Sequence, residues 1–180
     1  MKHIGTSMFE TERLLCRRFE EKDLDDMFVN WASNPMVQLE YGEPVYSTKD
    51  ETCELLKKYI NSYSSLDTYR FAIIEKRSGK NIGQIALCKV YSDSAIGEIE
   101  YCIGQKYWGN GYAGEALSGL IKHLFSNSEF VRLEAYHRIE NDKSGKVLKK
   151  SSMHITDNVE RFRRLGEEPV GEICYCIEKQ

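Results

Sequence analysis

The stretch that decides the fold is residues 98–117, which read EIEYCIGQKYWGNGYAGEAL. Its first part, residues 98–103, is rich in β-branched and aromatic residues with partial alternation, which predicts a strand. Glycine then recurs at positions 104, 109, 111 and 114, which predicts a loop. From Glu115 onward the apolar residues follow helical spacing. The segment therefore predicts a strand, a glycine-rich loop and a helix, in that order.

A loop of this kind indicates a binding site for an anion. The first backbone N–H groups of a helix have no intrahelical acceptor, and the helix dipole favours negative charge there. Glycines at 109, 111 and 114 let a backbone come close to a phosphate or pyrophosphate. A tight turn with close helix–strand packing would use the same residues, so both interpretations stay open on this segment alone.

Two common phosphate motifs are excluded. No Gly-Lys-Ser/Thr follows the loop, so it is not a P-loop. The glycines match the dinucleotide pattern G-x-G-x-x-G by letter, but they come late in the chain. The acids about 20 residues on are Glu129, in a predicted loop, and Glu134, inside the next predicted strand.

The rest of the chain predicts one mixed sheet. Residues 14–18 predict a first strand, and residues 69–75 and 82–90 predict a hairpin. Residues 131–137 and 173–177 predict two later strands. Since helices are few and do not strictly alternate with strands, the pattern favours a mixed sheet with helices on its faces.

Helices are predicted on both sides of the hairpin. An apolar stripe from Leu24 to Trp31 stops before Pro35, where proline disfavours continuation. Thr48 and Glu51 fit a capping box ahead of a second apolar helical face. Residues 141–150 predict a short last helix.

Composition predicts one ordinary folded domain spanning residues 1–180. The chain has 41% hydrophobic and 29% charged residues, which argues against disorder and low-complexity repeats. Its net charge of −3 gives no general attraction to nucleic acid. No apolar run reaches the roughly 20 residues of a membrane span, and no apolar segment follows Met1-Lys2 as in a secretory signal. We expect no nucleic-acid partner and no membrane partner.

The cysteines indicate a reducing compartment. Six cysteines are scattered through predicted strands and helices, and no C-x-x-C pair occurs. A zinc site would need closer clustering with histidine or further cysteine. We expect reduced thiols in a cytoplasmic protein without a metal.

Three separated motifs resemble those of the GNAT N-acetyltransferases, most closely the RimJ/RimL type, the branch that acetylates the N-termini of ribosomal proteins. The first is residues 98–104 with 107–117, the second Arg132-Leu133-Glu134-Ala135, and the third Glu140-Asn141 with Ser144, Val147, Leu148, Lys150 and Met153. Residues 10–17 resemble the first strand of the same branch. Because the motifs stand in the family's order, the chain is identified as a member of this family over nearly its whole length.

The resemblance implies an α/β (α+β) fold, with a single mixed, mostly antiparallel splayed sheet of six or seven strands and about four helices. It implies acetyl-CoA as the acetyl-donor cosubstrate, gripped where the fourth and fifth predicted strands open apart. The backbone of the loop would bind the pyrophosphate through Trp108, Gly109, Asn110, Gly111, Tyr112, Ala113 and Gly114. The pantetheine arm would pair with the backbone of Tyr101, Cys102 and Ile103, as an added strand does, and with Asn141 and Ser144.

The resemblance also implies direct attack of an amine on the thioester. A protonated amine must first lose a proton, and Glu98 and Glu100 share one strand face beside the implied thioester site. Either glutamate could accept that proton, with Glu100 slightly favoured, or both are surface carboxylates. Ser144 would protonate the leaving thiolate, unless its hydroxyl only caps the helix. Tyr136 is a weaker candidate for the same role.

The acceptor is left open among a protein N-terminus, a polyamine, an aminoglycoside-like drug and another small amine. The negative balance, with Glu40 and Glu43 expected near the cleft, slightly favours a cationic acceptor. The alternatives are a non-catalytic acyl-CoA sensor with the same fold, and a nucleotide-binding protein that uses the loop for another pyrophosphate. Free strand edges make a homodimer an expectation as well.

Three departures from the family pattern stand out, one of which is Ser152 in place of the closing glycine before Met153. Trp108 occupies the place where the family usually has arginine or glutamine. Gly145 lies inside the last helix, where glycine costs about 1 kcal/mol relative to alanine. A basic cluster is formed in the sequence by Arg161, Arg163 and Arg164. We interpret it as a solvated face that an anionic substrate or the adenosine 3′-phosphate could also use.

Overall fold

One mixed sheet organises the protein. A computed structural model describes residues 1–162 and 168–180, and within them eight strands lie in the order β1-β2-β3-β4-β5-β6-β8-β7. The strands are β1 (Phe9–Glu10), β2 (Leu14–Arg17), β3 (Arg70–Glu75), β4 (Lys80–Tyr91), β5 (Ile96–Ile103), β6 (Arg132–Arg138), β7 (His154–Phe162) and β8 (Pro169–Glu178).

Helices cover both faces of this sheet. The described residues contain five α-helices: α1 (Leu24–Met27), α2 (Pro35–Tyr41), α3 (Lys49–Ser62), α4 (Tyr112–Asn127) and α5 (Asp142–Lys150). A 3₁₀ turn, Glu21–Asp23, leads into α1, and a π-helical segment, Phe28–Ala32, continues it. The capping box predicted for α3 is confirmed, because Glu51 N donates to Thr48 Oγ1 and Thr48 N donates to Glu51.

The junction between β5 and β6 sets the shape of the molecule. These strands run parallel, whereas the other strand pairs of the described chain are antiparallel. Their ladder joins residues 96–99 to residues 132–135 and ends at the pair Ile99 and Ala135. Residues 100–103 still pair with β4 but have no recorded partner in β6. The sheet therefore splays open beyond Ile99, as expected from the resemblance.

Two apolar cores lie on opposite faces of the sheet. Along β3, Phe71 and Ile73 face the core beneath α4, whereas Ala72 and Ile74 face the core formed with α1, α2 and α3. We call the α4 and α5 side the back face and the α1–α3 side the front face. Burial on both faces explains why β3 is a continuous apolar run.

The fold class is confirmed, but the predicted six or seven strands and four helices are too few. The strand β1 has only two residues, and β7 reads HITDNVERF, which is too polar for an apolar pattern to reveal it. The helix α2 is not predicted by the sequence pattern, because a proline at position 35 also indicates the end of the preceding helix. Pro35 instead occupies the first turn, and the Asn34 side chain accepts hydrogen bonds from Met36 N and Val37 N. The predicted basic cluster at Arg161, Arg163 and Arg164 lies outside the side chains that the structure describes.

Candidate active site

The splay between β5 and β6 creates a cleft of about 300 Å³. Its walls come from β4, β5, β6, β8, the C-terminal end of α2 and the first turns of α5. Five predicted site residues line it together: Glu98, Glu100, Tyr101, Asn141 and Ser144. Because side chains alternate along β5, the two glutamates reach the front face while Tyr101 packs toward the back core.

The back wall carries two neighbouring hydroxyl groups. Tyr101 and Ser144 both line the cleft. Burial raises the pKa of Tyr101 to about 12, and the Ser144 hydroxyl beside it acts in the opposite direction. Asn141 is the N-cap of α5, and its Oδ1 accepts a hydrogen bond from Ser144 N at 3.1 Å. The cap thus fixes where the Ser144 side chain projects.

Gly145 lies in close contact with β6. A Cβ atom at this position would lie 3.0 Å from Nε2 of His137 and 3.1 Å from its Cε1. His137 is only 5% exposed and lines the cleft. With a larger residue, the His137 ring or α5 would have to shift by a few tenths of an ångström, so the glycine lets α5 pack tightly at the cleft wall.

The front wall contains a charged network centred on Glu100. Its Oε1 accepts hydrogen bonds from Tyr41 Oη and from Arg70 Nη2, each at 2.8 Å. Arg70 also donates to Gln84 at 2.7 Å and stacks over the Tyr59 ring at 4.3 Å. Burial alone would lower the pKa of Arg70, but Tyr41, Tyr59 and Glu100 together raise it well above its usual value. The network therefore holds α2 and α3 against the sheet.

Glu98 lies in a different environment. It is 7% exposed, and its Oε2 lies 3.6 Å from Lys89 Nζ. The register of β4 and β5 shifts beside it, and the extra residue, Cys88, donates its thiol to the Glu98 carbonyl at 3.4 Å. A bulge of this kind redirects side chains and is frequent next to active sites.

The cleft lining contains more carboxylates than cations. It includes four glutamates, namely Glu40, Glu98, Glu100 and Glu172, and the two cations Lys89 and Arg138. Three of the glutamates are ion-paired: Glu40 with Arg138 at 3.1 Å, Glu98 with Lys89 at 3.6 Å, and Glu100 with Arg70, which does not itself line the cleft, at 2.8 Å. Glu40 thus reaches the cleft as expected, whereas Glu43 does not line it. Tyr136 also lines the cleft, and its hydroxyl donates to Glu134 at 2.9 Å.

The glycine-rich loop lies at the C-terminal end of β5 and leads into α4. Gly109 and Gly111 have φ values of 79° and 81°, a left-handed backbone that glycine adopts without strain. A Cβ at Gly109 or Gly114 would have no atom within 4 Å. Beyond the loop, helical hydrogen bonding resumes with Glu115 N donating to Gly111 at 3.1 Å. The loop thus offers open space in front of the first N–H groups of α4, and a pyrophosphate fits this arrangement.

Trp108 has a structural role in this loop. Its indole N–H donates to the Ile103 carbonyl at 2.6 Å, and its ring packs on the edges of both cores. Lys143, in the first turn of α5, places its Nζ 5.1 Å from the Trp108 ring centre. The tryptophan therefore fastens the start of the loop to the end of β5.

Two of the residues predicted for pantetheine binding have buried side chains, whereas Asn110 of the loop is exposed and Tyr112 and Ala113 are half-buried. Cys102 belongs to the front core and Ile103 to the back core, each 6% exposed. Their backbone groups alone are left for the pantetheine contact that the resemblance implies, and that contact remains a prediction. Sequence reasoning missed Tyr41, Arg70 and Gln84, since no motif connects residues that lie so far apart in the chain. Among the described residues, no group of three or more His, Cys, Asp or Glu could hold a metal ion, and no helix there is long and apolar enough to cross a membrane.

The chain is similar to known proteins in both sequence and structure. The family model described as an acetyltransferase (GNAT) domain matches residues 13–154. The Bacillus licheniformis protein named "Uncharacterized N-acetyltransferase p20" is 29% identical over 77% of this chain and 77% of its own length. A GNAT-family acetyltransferase structure from Bacillus anthracis has 26% identity and a TM-score of 0.83, over 96% of this chain and 99% of its own.

A more distant structure shares the fold. The ribosomal-protein-S5-alanine acetyltransferase from Vibrio fischeri has 19% identity and a TM-score of 0.80, over 97% of each chain. At this identity the similarity shows a shared fold and nothing more. The family model, by contrast, spans most of the sequence, including β4, β5, β6 and the glycine-rich loop. The chain therefore belongs to the GNAT acetyltransferase family.

Proposed function

We propose that the protein transfers the acetyl group of acetyl-CoA directly to a primary amine. One observation supports this most strongly: the cleft between β5 and β6 brings the hydroxyl-bearing residues Tyr101 and Ser144 to the same cavity as a wall of carboxylates. A thioester donor and an amine acceptor can thus approach the same point from opposite faces. In the reaction, the amine nitrogen bonds to the acetyl carbon, the carbon–sulfur bond breaks, and sulfur takes the electron pair.

Donor binding would use mainly backbone groups. The N–H groups of residues 108–114 would hold the pyrophosphate, and the side of β5 left unpaired after Ile99 would pair with the pantetheine amides. An N–H group on this strand could also stabilise the tetrahedral oxyanion. Asn141 and Ser144 would contact the pantetheine from α5.

Of the two glutamates, Glu98 suits proton acceptance better than Glu100. An amine enters as an ammonium ion at neutral pH and must lose a proton to attack. Oε1 of Glu100 already binds Tyr41 and Arg70, whereas the ion pair of Glu98 with Lys89 is longer, at 3.6 Å. We therefore propose Glu98 as the general base, acting directly or through water, and Glu100 as part of the front wall.

The leaving thiolate needs a proton or a hydrogen bond. Ser144 and Tyr101 are the neighbouring hydroxyl groups on the donor side of the cleft. We propose Ser144 as the donor to sulfur, with Tyr101 beside it. Tyr136 is less suited, because its hydroxyl donates to Glu134 on the opposite face.

The acceptor is proposed to be a protein N-terminus or a small amine. The four lining carboxylates outnumber Lys89, Arg138 and the Arg70 paired with Glu100 by one charge, which favours an ammonium group over an anion. The three motifs in RimJ/RimL order support a protein N-terminus. The six cysteines, all free, support a reducing compartment such as the cytoplasm.

The test combines CoA release with product analysis. The protein is incubated with acetyl-CoA and a panel of unblocked peptides and polyamines, with N-terminally blocked peptides as matched controls. Free thiol and an acetylated product by mass spectrometry are expected for at least one amine class and for no blocked peptide. CoA binding without transfer to any amine would favour a non-catalytic sensor. Thermal stabilisation by ATP or NAD but not by CoA would favour a nucleotide-binding protein.

A further inference from the structure

We infer that Arg13, immediately before β2, positions the glycine-rich loop and supplies a cationic contact for the donor's pyrophosphate. This inference rests on the proposed function, because it assigns a residue to the donor side of the same site. Arg13 is distant from the loop in the sequence, and no motif in its part of the chain suggested a ligand.

Arg13 reaches the loop through several contacts. Its Nη1 donates to the Asn110 carbonyl at 3.0 Å, and its guanidinium lies 4.6 Å from the centre of the Tyr112 ring. Its Nη2 would lie 3.5 Å from a Cβ at Gly111. Arg13 thus contacts the turn between Asn110 and Tyr112, where the backbone passes through the left-handed region and enters α4.

Glu115, in the first turn of α4, anchors the arginine. Its Oε2 accepts a hydrogen bond from Arg13 Nε at 2.7 Å. Its Oε1 accepts from Arg13 N at 2.7 Å and from Thr11 Oγ1 at 2.6 Å. Burial would raise the pKa of Glu115, but these hydrogen bonds outweigh it and lower the pKa. The carboxylate remains an anion at neutral pH and fixes the direction of the guanidinium.

The guanidinium keeps a donor for a ligand. Glu115 and Asn110 engage Nε and Nη1, and the side chain is 45% exposed. Nη2, the nitrogen nearest Gly111, therefore faces the region where the N–H groups of α4 begin. An arginine fork suits a phosphate better than a lysine does, because it offers parallel donors in a fixed plane.

Binding of CoA alone tests this inference without any transfer step. Isothermal titration of the full chain would compare wild type with Arg13→Met, using CoA, dephospho-CoA and pantetheine as probes. We expect Arg13→Met to weaken CoA and dephospho-CoA about 10- to 100-fold and to leave pantetheine unchanged. Arg13→Lys, which keeps the charge but not the fork, should recover part of the loss.

A nearby cation provides the matched control. Lys76 donates to the Thr11 carbonyl at 2.7 Å and pairs with Glu10 at 2.7 Å, so Lys76→Met removes one charge from the same edge of the sheet. This control should bind CoA as wild type does. Thermal unfolding of each variant would show whether it is folded.

Four results would overturn the inference: unchanged CoA affinity in Arg13→Met, an equal loss for pantetheine, an equal loss in Lys76→Met, or a loss for CoA that is absent for dephospho-CoA. The last would assign Arg13 to the 3′-phosphate instead. If wild type binds CoA but acetylates no amine, only the proposed function fails. If wild type binds no CoA, both fail.

Discussion

Glu100 and Arg70 form an ion pair across two strands of the sheet, with Oε1 and Nη2 2.8 Å apart and both side chains 15% exposed. Glu100 lies on β5 and Arg70 on β3, and Gln84 of the intervening β4 binds the same guanidinium at 2.7 Å. Tyr41 at the end of α2 completes the network. The front wall of the cleft is thus held by a charged network with little solvent around it.

Removing either partner of this pair should destabilise the protein. Arg70→Met should lower the free energy of unfolding by about 3 kcal/mol, because it leaves a largely buried carboxylate without its cation. The double variant Arg70→Met/Glu100→Leu should lose less than the sum of the single variants. Urea unfolding of the four proteins measures this coupling, and strictly additive losses would show that the pair contributes little.

Glu98→Gln should lower turnover about 100-fold with little change in stability, because it removes the proposed proton acceptor. Raising the pH should restore part of the rate, since more of the amine is then already deprotonated. Glu100→Gln is the comparison: it should reduce stability more and turnover less. The opposite ranking in steady-state kinetics and thermal unfolding would transfer the base to Glu100.

Ser144→Ala should lower kcat about 100-fold if its hydroxyl protonates the leaving thiolate. Tyr101→Phe removes the neighbouring hydroxyl and should have the smaller effect. Asn141→Ala should instead cost about 1 kcal/mol of stability through loss of the helix cap. If Tyr101→Phe is the slower enzyme in the CoA-release assay, the proton comes from tyrosine.

Gly145→Ala should destabilise the protein by about 1–3 kcal/mol, because its Cβ would press on the His137 ring. Helix propensity alone predicts the opposite sign, a gain of about 1 kcal/mol. In a His137→Ala background the contact is gone, and the same substitution should be stabilising. Denaturant unfolding of both pairs decides the matter, and a loss in both backgrounds would place the strain elsewhere.

The free energy of unfolding should fall as the pH drops below 6.5, the ordinary pKa of a histidine side chain. Burial lowers the pKa of His123 from 6.5, with a hydrogen bond to Ser7 acting in the opposite direction. The ring stacks on Phe9 at 5.1 Å. Below pH 6.5 the unfolded chain takes up a proton that the folded chain resists, so acid favours unfolding.

The matched measurement for His123 is the free energy of unfolding of wild type and His123→Gln between about pH 7.5 and about pH 5.5. Wild type should lose more stability than the variant over this range. Parallel losses would remove His123 as the cause.

Local patterns in the sequence were sufficient for most strands, for the capped helix α3 and for the glycine-rich loop. They failed where the local signal was weak or had two meanings. The two residues of β1 are too short for a period, β7 is polar, and Pro35 can end one helix or begin the next. Tertiary pairing along the sheet, rather than local preference, creates β1 and β7.

The candidate site could likewise be predicted only in part from the sequence. Glu98 and Glu100 could be predicted as neighbours because residues two positions apart on a strand share a face. The partners that distinguish them, Arg70 and Tyr41, lie 30 and 59 positions from Glu100 and are brought close only by the sheet order. Likewise, Arg13 and Glu115 are 102 positions apart. Contacts at such separations leave no trace in a single sequence.

The order of the first five strands in the sheet also bears on how the chain can fold during synthesis. The strands β1 to β5 follow one another in the sheet as they do in the sequence, so residues 9–103 can assemble as they emerge from the ribosome. Their back face, with Phe71, Ile73 and Ile85, gains its cover only when α4 arrives at residues 112–127. A nascent chain paused between these points leaves the apolar back face of these strands exposed, and we expect chaperones to bind it at this length.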